Sequence, residues 1–131
     1  SMPTLEKPLS MFRGAKKTWV FTVTGSAGDA VDLSSASVVF TVRTDYPAGS
    51  ITNDSDAAVV LRRVNGGSGI TTNASGKIYV TILSDNTVSA SAFEDGGPYR
   101  YGLKFALPSD SEPEVAAQGP FYLRPDIVRS L

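Results

Sequence analysis

The chain is predicted to be all-β, an antiparallel sandwich of about seven strands with one short helix. Three observations predict it. Tyr99 to Leu107 alternates: Tyr99, Tyr101, Leu103, Phe105 and Leu107 fall on one parity, and Arg100, Gly102, Lys104 and Ala106 on the other. Successive strand side chains point to opposite faces, so this segment has one apolar and one wet face. Segments of this kind recur along the chain, separated by clusters of Gly, Asn and Pro. Their content is β-branched and aromatic, which suits a pleated, half-buried surface. An apolar face needs a second layer over it. Barrel closure is the competing arrangement.

Taken in order, residues 1–11 read as an extended N-terminal arm. Pro3 and Pro8 interrupt it and it shows no period, so it either frays or packs on a neighbouring subunit. The domain proper runs from 12 to 127, and 128–131 form a short tail. Thr18 to Thr24 is the first strand, with Trp19, Phe21 and Val23 on one face. Trp19, the single tryptophan, reads as a core anchor. A turn at Gly25 to Asp29 leads to a short return strand, Ala30 to Leu33. Ser37 to Arg43 follows, with Val38, Phe40 and Val42 inward.

Thr44 to Ala57 reads as a long irregular loop, and such loops often carry function. Ala58 to Val64 has no clean apolar face, which fits an edge strand guarded by Arg62 and Arg63. Ile70–Thr72 and Lys77–Leu83 form a hairpin closed by Gly76. Ser84 to Thr87 offers N-cap residues for a helix of one or two turns, with Val88, Ala92 and Phe93 at near-helical spacing. After Tyr99 to Leu107, Glu114 to Leu123 is the last strand. Pro120 within it has no N–H to donate, so it marks an edge or a bulge.

The 131 residues make about one domain. With 41% apolar and 19% charged residues, the chain has the composition of a globular protein. A net charge of −1 and a pI near 5.3 argue against a nucleic-acid partner. No apolar run approaches the roughly 20 residues of a membrane span, so no membrane partner is expected.

There is no cysteine and no histidine. Thiolate chemistry, the commonest general base and the commonest metal ligand are thereby removed. Serines lie in turns with no histidine to activate them. The carboxylate pairs Glu94–Asp95 and Glu112/Glu114 sit in polar connections or near them and read as solvated charge. Asn53-Asp54-Ser55-Asp56 resembles a fragment of a calcium loop but lacks the later bidentate acid; position 64 is Val64. Gly66, Gly67 and Gly69 belong to a hairpin linker, not a phosphate loop, because no Gly-Lys-Ser/Thr follows. No cofactor and no enzymatic activity are expected. The candidate residues are interface residues: Phe12, Tyr46, Arg62, Arg63, Tyr79 and Tyr122.

Phe12-Arg13-Gly14, Lys17-Thr18-Trp19 with Phe21-Thr22-Val23-Thr24, Val31-Asp32-Leu33-Ser34, and Val38 to Val42 resemble the opening of small bacteriophage and prophage structural domains. So do the hairpin Gly69-Ile70-Thr71 … Gly76-Lys77-Ile78 and the ending Gly119 to Ile127. The pattern is similar to the N-terminal domain of phage baseplate upper proteins. That resemblance implies an immunoglobulin-like fold in a tail-associated virion protein, made in the bacterial cytoplasm and assembled through contacts with tail or baseplate proteins and with itself. It implies no catalytic residues. A carbohydrate-binding or adhesin-type module is the alternative.

Overall fold

The computed structural model describes residues 5–44, 59–66, 69–87, 98–110 and 112–125, without the side chain of residue 85. The loop centred on residues 45–58 and the C-terminal tail lie outside the described residues, as does the helix expected to continue past Thr87.

The described residues form nine strands in two sheets. In chain order they are β1 (Leu5–Glu6), β2 (Leu9–Phe12), β3 (Lys17–Thr22), β4 (Ser37–Thr44), β5 (Val59–Val64), β6 (Ile70–Thr72), β7 (Lys77–Ile82), β8 (Tyr99–Ala106) and β9 (Glu114–Arg124). The larger sheet runs β1-β9-β8-β4-β5, with β2 also on β9; the smaller runs β3-β7-β6. All pairings are antiparallel except those of β1 and β2 with β9, which are parallel. Two sheets of this order make an immunoglobulin-like β-sandwich.

The core is where the two inner parities meet. Trp19 lies against Phe40 (centroids 6.3 Å apart) and meets Phe121 edge-on at 5.8 Å. Phe40 also packs on Tyr101 at 5.8 Å. Antibody-type sandwiches carry a disulfide between the sheets. This cysteine-free chain instead sets Phe21 of the small sheet 6.5 Å from Tyr101 of the large one. Trp19 is thus a core anchor, as expected.

The N-terminal segment differs from the expected free arm. Leu9 and Met11 are 2% and 3% exposed, and Leu9 to Phe12 pair with Phe121 to Arg124. The physical reason is the alternation of Leu9 and Met11, which supplies an apolar face that β9 can hold in the core. The strand breaks at Lys7-Pro8, between β1 and β2, and β9 carries Pro120 at the same level. In a regular parallel ladder the Lys7 carbonyl would accept from the N–H of position 120, which proline lacks. The Tyr101 hydroxyl donates to that carbonyl instead, at 2.6 Å. Gly119 makes the approach possible: its φ is 154°, and a Cβ there would come 2.5 Å from the Lys7 carbonyl oxygen. Pro120 therefore marks a break in its partner rather than an edge.

Other local expectations divide. The β6–β7 hairpin forms, with Gly76 at φ 80°. β5 is the terminal strand of the larger sheet among the described residues. The return strand at Ala30 to Leu33 shrinks to one bridge, Thr24 to Ala30. Leu33 is nevertheless buried, because its N–H donates to Asn73 O at 3.1 Å and its carbonyl accepts from Thr72 Oγ1 at 2.7 Å. Turn bonds replace the ladder there. At Ser84–Asn86 a single 3-10 turn forms, closed by Asn86 Oδ1 accepting from Leu83 N–H at 2.9 Å. Thr87 then ties this turn to the β2–β3 corner: its hydroxyl accepts from Gly14 N–H at 2.8 Å and its carbonyl accepts from Arg13 Nε at 2.9 Å.

Candidate interaction face

The outer face of the larger sheet carries a broad hollow. Inward-facing Val38, Phe40, Val42, Tyr101, Leu103 and Phe105 turn the alternate residues of β4 and β8 outward. Cross-strand register sets them in rows. Arg62, Thr41, Gly102 and Gln118 form one row across four strands; Arg43 and Arg100 stand directly opposite each other in the next; Val39, Lys104 and Val115 form a third. Gly102 has nothing within 4 Å of where a Cβ would stand. This missing side chain leaves a floor in the middle of the face. The concavity over it measures about 570 Å³, lined among others by Thr41, Arg43, Arg100, Gly102, Lys104 and Gln118.

Among the described residues, the centre of the face is lined by basic side chains. Arg100 and Lys104 are exposed, Arg43 is half-buried beside them, and Arg62 is exposed on β5. At its far side the Glu6 carboxylate accepts from Gln118 Nε2 at 2.8 Å. The groups present can bind through charge, hydrogen bonds and shape. Among the described residues no group of three or more acidic side chains is gathered that could hold a metal ion. Tyr101 has a structural part here: burial, with Glu6 adding to it, pushes its hydroxyl up to about 12.

The expected interface residues are divided between the two outer faces. Phe12 and Tyr122 are 57% and 51% exposed and share the outer face of the larger sheet, at its β2–β9 corner. Arg62 lies on that face at the opposite edge. Tyr79 is on the outer face of the smaller sheet, between Val20 and Thr71. It lines a smaller hollow, about 250 Å³, with Arg63, Thr71, Thr81, Leu83 and Asn86. Tyr46 lies outside the described residues, as does the calcium-like run 53–56. The sequence reading missed Arg43, Arg100, Gly102 and Lys104 as site residues. The alternating basic residues around a glycine on the wet parity of β8 were the available signal.

No helix among the described residues is long and apolar enough to cross a membrane. No family model and no curated protein matches the chain. Among solved structures, the chain is similar to Tim-1, at 16% identity over 98% of this chain and 100% of that one, with a TM-score of 0.45. It is also similar to a chain from parallel homodimer structures of the extracellular domains of the voltage-gated sodium channel beta4 subunit, at 10% identity over 97% and 98%, TM-score 0.42. A third is a chain from the complex of ICOS with ICOS-L and an anti-ICOS-L VNAR domain, at 11% identity over 94% of this chain and 56% of that one, TM-score 0.42. The assignment of the immunoglobulin-like sandwich stands on the sheet order itself.

Proposed function

We propose that the chain is a non-enzymatic module that works by protein–protein assembly, docking a partner on the outer face of its larger sheet. The observation that carries this reading is the concavity floored by Gly102 and rimmed by Arg43, Arg100 and Lys104. Its charge suits a partner surface that presents carboxylates. The specific setting we propose is a phage or prophage tail or baseplate, within the virion, and that setting follows from the sequence resemblance. Specific docking there needs roughly 800 Å² from each partner. The exposed Phe12 and Tyr122 on the same face would extend the contact beyond the hollow.

The test is a binding titration of the full chain against the tail and baseplate proteins encoded beside it. One of them should bind, and the double substitution Arg100→Glu/Lys104→Glu should weaken that binding at least tenfold while leaving the melting temperature in place. Absence of any such binding, or binding indifferent to both reversals, would contradict the reading. The hollow beside Tyr79, with the hydroxyls of Thr71 and Thr81, favours a second reading as a carbohydrate-binding module. Glycan-array binding lost on Tyr79→Ala would select it.

A further inference from the structure

The smaller sheet ends in a strand that no described residue covers. β3 pairs with β7 on one side, and among the described residues nothing pairs with its other side. Val23 N–H donates to Gly76 O at 2.7 Å, so the odd-numbered residues of this strand turn their backbone groups toward β7. By alternation, Thr18, Val20 and Thr22 turn theirs outward. Natural edge strands are usually blunted by proline, a bulge or charge. β3 has no proline, its register with β7 runs without a shift, and its one charged residue is Lys17 at the start. At its centre Val20 is 48% exposed.

The strand is also symmetric about that centre. It reads Thr18-Trp19-Val20-Phe21-Thr22: threonine, aromatic, valine, aromatic, threonine. We propose that β3 pairs with β3 of a second copy, antiparallel about a two-fold axis through Val20. The two three-stranded sheets then join into one. A two-fold interface sets a residue against its own symmetry mate wherever the axis passes. Val20 meets Val20 of the other copy, and Thr18 meets Thr22. The outward N–H groups of each copy meet the outward carbonyls of the other. Thr–Thr pairs such as Thr18 with Thr22 are favourable across strands. Lys17 comes opposite Val23, so no like charges face each other, and the Lys77 Nζ is already held by Thr22 Oγ1 at 2.9 Å. The outer-face reading is independent of this one, and either stands if the other fails.

A single strand pairing is a small interface, so association belongs at the weak end of the scale. Sedimentation equilibrium of the full chain, up to roughly 1 mM, should show a dimer that dissociates on dilution. Val20→Lys and Val20→Glu should each weaken it at least tenfold, by setting like charges against each other. An equal mixture of the two should recover association, because lysine then meets glutamate across the axis. Wild-type chain that stays monomeric throughout overturns the proposal. So does association that neither substitution weakens. Should the variants fail to fold, amide exchange of the wild type decides: the Thr18, Val20 and Thr22 amides slow with rising concentration if the pairing is right, and exchange at one rate if it is wrong.

Discussion

β9 of the larger sheet and β3 of the smaller meet through Trp19 and Phe121, and the chain treats their outer sides differently. β9 is covered: β1 and β2 lie along it in parallel and put Leu9 and Met11 into the core. β3 is left open among the described residues. The described N-terminal strands lie on the larger sheet. What holds it there is a local substitution of parts. Pro120 withholds a ladder donor, Tyr101 supplies a hydroxyl in its place, and Gly119 leaves room for the carbonyl that receives it. The difference teaches that an edge is closed by side-chain chemistry from a neighbouring strand as well as by the ladder. It also teaches that closing one edge can leave another available for assembly.

The comparison can be broken first at Leu9. If the segment is a strand of the core, Leu9→Ala should cost about 2–5 kcal/mol in chemical denaturation. A free arm would lose almost nothing. Tyr101→Phe removes the donor that the Lys7 carbonyl uses, and should cost about 1–3 kcal/mol, with faster amide exchange at Lys7. Raising the pH sharpens the same point with no mutation. The Tyr101 hydroxyl is held protonated up to about 12 in the fold, above the ordinary tyrosine value near 10. Between those values the unfolded chain ionises and the folded chain does not, so the contribution of Tyr101 is intact below about pH 10 and is lost as the pH rises toward 12. Tyr101→Phe should flatten that part of the stability profile. The smallest effect belongs to the open edge. Val20→Lys should change the stability of the monomer by no more than about 0.5 kcal/mol, because the side chain is already half in water.

Strand positions and faces were legible where alternation is long. β4, β7 and β8 carry six to eight residues of it, and the period of two is a local property. Arg62 and Arg63 marked β5, the terminal strand among the described residues, for a local reason as well. The N-terminal strand was not legible. Leu9-Ser10-Met11-Phe12 offers only four residues after a proline, and its partner, β9, lies more than a hundred positions away. A parallel pairing at that distance leaves no turn signature in sequence. Ala30 to Leu33 failed in the other direction: β-like residues were held by Thr72 and Asn73 instead of by a ladder. The candidate face was half legible. Arg100, Gly102 and Lys104 could be placed on the wet side of β8, but a wet side is ordinarily just solvated. Only register sets Arg43 beside Arg100 and opens the hollow over Gly102. The expected interface residues Phe12, Arg62 and Tyr122 lie on that face, whereas Tyr79 and Arg63 belong to the hollow on the other sheet.

The most direct test of the contrast between the two edges is residue-resolved amide hydrogen exchange on the full chain at two concentrations. Lys7 N–H donates to Gln118 O and Arg13 N–H to Arg124 O, so both should be protected to the same degree at low and high concentration. Thr18, Val20 and Thr22 should exchange freely when dilute and slow down when concentrated. Lys7 and Arg13 amides that exchange as freely as Val20 in dilute solution would contradict the account, because the N-terminal segment would then be an arm after all.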